Sequence, residues 1–263
     1  MKQRLISAFI MAIILIPLVL IGGMPFRIGV ALIGILAYKE ILDLKGFDNY
    51  PKGVAVLGLV AMLLLVFSNR ELSYSTFGLD YRYIATSVLL MLLPSVFYFN
   101  TKKYTTKEAF ELLGFVLFLG ITLNLITNIL IYDKMYFFLI IIVTVLTDTF
   151  AYITGMMIGK HKVTKISPKK SLEGYVGGVI MSTILSSIFY MTFIGNAPLG
   201  TVVPILVLLS LVCEVGDLFY SAIKREHDIK DFSNLIPGHG GVLDRIDSLT
   251  FVTITFILLR NLI

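Results

Sequence analysis

The sequence predicts an all-α, polytopic integral membrane protein of about nine transmembrane helices. Of its 263 residues, 57% are hydrophobic and only 15% are charged, with a mean hydropathy of +0.90. A soluble domain would carry roughly 25% charged residues. Apolar runs near the bilayer-spanning length of ~20 residues recur from end to end. The runs are continuous and do not alternate with polar residues, which argues against a transmembrane β-barrel. The single cysteine, Cys213, leaves no internal disulfide and no cysteine-based metal cluster, and reads as a small apolar side chain in a helix.

The first run, 1–23, follows Lys2 and Arg4 and resembles a signal peptide. No A-x-A-like cleavage site comes after it and further spans follow at once, so an uncleaved helix is expected. The second run, 26–42, is short for a span and ends in Lys39-Glu40. Runs three to five cover 53–67, 83–99 and 109–131. In the fifth, Asn124 and Asn128 lie four apart on one face, and they are expected to bond within the bundle. The sixth, 135–158, contains Asp148. The seventh, 174–193, opens with Gly174 and Gly178, a small-xxx-small spacing that favours close helix packing. The eighth, 203–220, carries Glu214 and Asp217, and the ninth starts near Ser248. Residues 1–131 thus form an N-terminal set of about five helices. Residues 132–263 form a C-terminal region with two polar loops, 159–173 and 221–247.

Nine spans sort the loops onto two sides. One side takes Lys2, Arg4, Lys39, Lys45, Lys52, Lys102, Lys103 and Lys107, the five lysines of 160–170, and Lys224, Arg225, Lys230 and Arg245. The other takes only Arg27, Arg70, Arg82, Lys134 and Arg260. The positive-inside rule makes the richer side cytoplasmic. The expectation is a multi-pass protein of the cell's inner (cytoplasmic) membrane whose polar site faces the cytoplasm.

Charge inside the apolar helices marks that site. A carboxylate at the centre of a membrane helix costs about 2.5–3.5 kcal/mol on insertion scales, so such groups face a cavity, a partner or a metal. Asp148, Tyr152, Gly155 and Gly159 share one helix face; Asp217, Ser221 and Lys224 share another, with Glu214 off it. The loop after the sixth run holds Lys160, Lys162, Lys165, Lys169 and Lys170 with Ser167, Ser171 and glycines, a composition suited to a polyanion. The stretch 221–247 crowds Lys224, Arg225, Lys230 and Arg245 beside Asp231, Asp244 and Asp247, around Pro237-Gly238-His239-Gly240-Gly241. Asp244 and Asp247, three apart, together with Asp217 could hold one or two hard divalent cations through carboxylate oxygens. The His239-Gly240-Gly241 turn could offer backbone N–H groups to a phosphate. Zinc is not expected at His239, which lacks a second suitably spaced ligand, and His161 and His227 read as loop residues. This pattern points to metal-assisted chemistry on a polyphosphate at a membrane surface, with neither nucleotide nor acceptor identified.

The 221–247 stretch resembles the signature of the phosphatidate cytidylyltransferases, or CDP-diacylglycerol synthases. The matching residues are Ser221, Ile223, Lys224-Arg225, Lys230-Asp231, Ser233, Ile236, Pro237, His239-Gly240-Gly241, Val242 and Asp244-Arg245-Ile246-Asp247, with no departure. The segments from Asp148 to Tyr152 and from Ser167 to Gly174 look similar to that family as well. The close match covers roughly the C-terminal half, whereas the N-terminal helices agree only in being apolar. The resemblance implies transfer of CMP from CTP to phosphatidate with Mg²⁺, giving CDP-diacylglycerol and pyrophosphate, and is compatible with a second, monovalent cation such as K⁺. It implies catalytic roles for Asp217, Lys224, Arg225, Asp244 and Asp247, the metal held by Asp217, Asp244 and Asp247. Substrate would be held by Asp148, Lys169, Lys170, Ser171, Ser221, Lys230, His239, Gly240, Gly241 and Arg245. Membrane lipid and a second copy of the chain are the implied partners; nucleic acid is not.

Two other readings share some of these features. A related CTP-dependent transferase could act on another lipid phosphate, such as an archaeol type. An ion-coupled transporter also uses intramembrane carboxylates. No convincing internal repeat supports the transporter, and against it stand the clustering of the carboxylates toward one cytoplasmic end and the two basic loops they adjoin.

Overall fold

A computed structural model describes residues 2–44, 50–68, 80–164 and 166–263. Lys45, Arg70 and Lys165, used above in sorting the loops, lie outside the described residues. Within these segments the chain forms α1 (Lys2–Ile21), α2 (Gly23–Leu42), α3 (Lys52–Val66), α4 (Tyr81–Phe97), α5 (Thr106–Tyr132), α6 (Lys134–Ile158), α7 (Leu172–Phe193), α8 (Leu199–Glu226) and α9 (Leu243–Leu259). Four of them, α5 to α8, are long and apolar enough to cross a membrane. Shorter apolar stretches lie at Phe9–Ile21, Lys52–Val66 and Tyr81–Phe97. The protein is therefore all-α and polytopic, with several membrane helices.

The backbone divides into two compact units. One comprises residues 1–131 with 231–243, the other 132–230 with 244–263. In the first unit, α5 starts with a reciprocal cap: the Glu108 carboxylate accepts from Thr105 N at 2.5 Å, and Thr105 Oγ1 accepts from Glu108 N at 3.4 Å. The expected asparagine pair forms here. Asn128 donates to Asn124 Oδ1 at 2.8 Å, and Asn124 donates to the carbonyls of Val66 and Ser68 at the end of α3. The buried Arg27 of α2 donates to Asn128 Oδ1 at 3.0 Å. Polar side chains thus satisfy one another where water is excluded.

In the second unit, α7 is an inside-out helix. Gly174, Gly178, Ser182, Ser186 and Tyr190 are buried along one face. Val176, Ile180, Ile184 and Ile188 are each half or more exposed along another. In water that arrangement would be costly; against lipid it is the expected one, with small and polar residues inward and branched apolar residues outward. The small residues let α6 and α7 come close. A Cβ on Gly178 would sit 2.8 Å from the Thr147 carbonyl, and one on Gly174 2.7 Å from that of Ala151. Hydroxyls stitch the inner layer, from Ser182 to the Val143 carbonyl at 3.1 Å and from Ser210 to Ser182 at 3.2 Å. At the far end Tyr136 packs between Phe256 and Tyr190.

Candidate active site

A cavity of about 450 Å³ opens in the second unit between α6, α7, α8 and the loop that precedes α7. Asp148, Tyr152 and Gly155 line it from α6, Tyr175 from α7, Glu214 and Asp217 from α8, and Lys169, Lys170 and Ser171 from the loop. Carboxylates on α6 and α8 thus share one space.

The loop is fastened at both ends. The Glu173 carboxylate, in the first turn of α7, accepts from Lys160 N at 3.0 Å and pairs with His161 Nδ1 at 2.6 Å. Leu172 N donates to the His161 carbonyl at 2.8 Å, and Val163 N to that of Lys170 at 3.1 Å. Ser171 is the N-cap of α7, its hydroxyl accepting from Gly174 N at 3.1 Å. These bonds turn Lys170 inward and leave Lys169 exposed at the cavity edge.

Lys170 meets two carboxylates. Its ammonium pairs with Asp217 and stands 3.7 Å from Glu214 Oε2. Burial alone would lower its pKa, but the Asp217 charge and hydrogen bond, with Tyr175 and Glu214, hold it above the ordinary lysine value. Lys170 also lies 5.2 Å from the centre of the Tyr175 ring. Glu214 is only 2% exposed, and its Oε1 has no hydrogen-bond partner among the described residues. Cys213, fully buried, directs Sγ toward Asp148 Oδ1 at 3.8 Å.

Further along α8, Ser221 donates to Asp217 Oδ1 at 3.4 Å. The buried Lys224 donates to Asp244 Oδ1 at 2.6 Å. Arg225 is exposed and reaches the carbonyls of Ile229 at 2.9 Å and Ile166 at 3.4 Å, tying the end of α8 to the lysine loop. Asp247 Oδ1 accepts from Ser248 N at 2.9 Å, and Arg245 and Lys230 are exposed. Asp217 and Asp244 thus each carry a lysine. Among the described residues, no three histidine, cysteine or carboxylate side chains converge on a point that could hold a metal. The chemistry of the donors still suits a hard divalent cation: they are carboxylate oxygens, one of them buried and without a hydrogen bond among the described residues.

The His239-Gly240-Gly241 turn belongs to the first unit. Gly238 and Gly240 have φ of 77° and 84°, left-handed values that disfavour any side chain. Ile236 N donates to the Gly240 carbonyl at 2.9 Å, and His239 N to that of Ile236 at 2.8 Å. Ser7 of α1 lies 2.8 Å from His239 Nδ1 and 2.9 Å from the Pro237 carbonyl. Glu40, only 3% exposed near the end of α2, accepts from Ser233 Oγ at 2.6 Å and from the amides of Val242 and Leu243 at 2.8 Å each.

The cytidylyltransferase family model matches residues 2–263, nearly the whole chain. The chain belongs to the cytidylyltransferase family. Similar proteins include the phosphatidate cytidylyltransferase of Bacillus subtilis, 36% identical over 96% of this chain and 94% of the relative. Those of Staphylococcus saprophyticus and Staphylococcus haemolyticus are 30% and 31% identical, over 96% of each chain. The N-terminal half contributes Ser7 and Glu40 to the hydrogen bonds around the signature turn. Sequence reasoning passed over both, and over Tyr175. Glu214 was placed off the Asp217 face, yet residues three apart are neighbours on a helix and both line one cavity. The only sequence signal for Glu40 was a carboxylate closing an apolar run.

Proposed function

We propose that this cytidylyltransferase is a phosphatidate cytidylyltransferase: CTP and phosphatidate give CDP-diacylglycerol and pyrophosphate. The observation that carries this is the near-full-length match to relatives of that name, at 30–36% identity over 96% of the chain. The acid-and-lysine cavity among apolar helices supports it.

A phosphatidate oxygen attacks the α-phosphorus of CTP, and the bond to the β-phosphate oxygen breaks, releasing pyrophosphate. The lipid phosphate is already anionic near neutral pH, so no strong general base is required. What the reaction needs is charge neutralisation and in-line placement. Lys169 and Lys170, with Lys224 and Arg225, would hold phosphates, and Ser171 would keep the loop closed on α7. Asp217, Asp244 and Asp247 would hold Mg²⁺, with Asp148 and Glu214 beside Asp217. Bound there, Mg²⁺ would offset the negative charge of the triphosphate and leaving pyrophosphate. Lys170, paired with Asp217, would be within reach of a phosphate held at the same carboxylate. Acyl chains stay in lipid while the head group enters. A K⁺ site and a homodimer are compatible additions to this reading.

The purified protein with Mg²⁺ should release pyrophosphate only when both CTP and phosphatidate are present, and form CDP-diacylglycerol in equal amount. Release with CTP alone, or none with CTP and phosphatidate together, would sink the assignment. The loops would face the cytoplasm, as the distribution of basic residues suggests. In a Cys213→Ser background, a cysteine at the exposed Glu226 should react with an impermeant thiol reagent only in opened cells. One at the exposed Asn196, between α7 and α8, should react in intact cells or spheroplasts. The reverse pattern would overturn the orientation.

A further inference from the structure

We infer that Glu40 is a positioning residue for the reaction, the anchor that shapes the signature segment 233–243 from outside the signature. This rests on the cytidylyltransferase reading above. Three donors converge on one buried carboxylate: the Ser233 hydroxyl at 2.6 Å and the amides of Val242 and Leu243 at 2.8 Å. They fill three of its roughly four acceptor sites. The two amides belong to the entry of α9, where N–H groups lack helical partners and negative charge is favoured. Glu40 lies two residues from the end of its own helix, where the macrodipole disfavours a carboxylate. Its position is thus poor for α2 and good for the residues it grips.

The signature has the complementary shape. A Cβ on Gly241 would sit 2.6 Å from Glu40 Oε1 and 2.7 Å from Oε2. The glycine leaves room for the carboxylate, and the left-handed Gly240 turns the chain toward it. Between the gripped Ser233 and Val242 lie His239 and the turn whose backbone N–H groups could be offered to a phosphate. The residue that follows Leu243 in the chain is Asp244. Loss of the anchor frees the turn without removing any group that touches substrate.

The test is Glu40→Gln in the full-length protein in detergent, read by amide hydrogen exchange and by steady-state kinetics. The glutamine keeps the size but turns an NH2 donor toward other donors. Val242 and Leu243 should exchange at least about tenfold faster, while α5 to α8 keep their protection. The kcat/KM for CTP should fall roughly 10- to 100-fold. Unchanged exchange at these amides, or a kcat/KM within twofold of wild type, would overturn the proposal. Should Glu40→Gln fail to fold, Ser233→Ala decides: faster exchange at Val242 with a raised KM for CTP supports the anchor, and wild-type values refute it. Exchange needs no substrate, so its failure is distinguishable from a wild-type protein that turns over nothing.

Discussion

In the second unit, charge is held side chain to side chain, Lys170 on Asp217 and Lys224 on Asp244. In the first unit, the buried Glu40 carboxylate holds a hydroxyl and two backbone amides. The difference is one of exchangeability. An ammonium can leave a carboxylate when a metal or phosphate offers each a better partner. A backbone amide has nowhere to go without unmaking the turn. The second unit carries the groups suited to changing partners with ligand; the first holds a turn in fixed shape.

The largest effects should come from the exchangeable pairs. Asp217→Asn and Asp244→Asn should each cut turnover by roughly a hundredfold to a thousandfold at matched Mg²⁺. Substantial turnover in either would remove it from the metal-binding set. The two should differ in stability. The Lys224 and Asp244 side chains are 10% and 4% exposed, so Asp244→Asn breaks a buried ion pair at a cost of about 3–5 kcal/mol. The Lys170 and Asp217 side chains are 21% and 27% exposed, and water can compensate in part. Thermal unfolding should rank Asp244→Asn well below Asp217→Asn. The double variant Lys224→Met with Asp244→Leu should recover stability but not turnover. Recovery of turnover would make the pair purely structural.

Next in size, Lys170→Ala should raise the KM for CTP by about tenfold, because a charge-assisted bond is lost. Lys169→Ala, at the exposed edge, should do the same more weakly. A rise in the KM for phosphatidate alone would assign the loop to the lipid instead.

The smallest effect tests the fixed turn. Gly240→Ala forces a side chain into a left-handed backbone at a cost of about 1–2 kcal/mol. A Tm lower by a few degrees and a several-fold loss of kcat/KM for CTP are expected. A wild-type KM for CTP would separate the turn from the nucleotide.

Apolar runs, the small-residue face of α7 and the unbroken motif of 221–247 were legible from the chain alone, because each is a local pattern. Helix period put Asn124 beside Asn128 and Gly174 in line with Gly178, and burial in lipid gives such periods direct physical meaning. The carboxylates of α6 and α8 could be singled out, since a charge in an apolar helix is costly wherever the helix lies. Their partners could not. That Lys170 turns inward while Lys169 stays out depends on how Glu173 and Ser171 fasten the loop. That Glu214 shares a cavity with Asp148 depends on how α8 packs on α6, where Cys213 Sγ lies 3.8 Å from both the Thr144 carbonyl and Asp148 Oδ1. Glu40 and Val242 are about two hundred residues apart in the chain, and no spacing rule links a carboxylate at the end of one helix to amides at the start of another. The sequence by itself determined an all-α membrane protein, its signature and its family resemblance, since these reside in composition and neighbouring residues. Only the tertiary structure decided which lysine meets which acid and which carboxylate holds the turn, because those pairings arise when distant segments pack and buried polar groups must find partners.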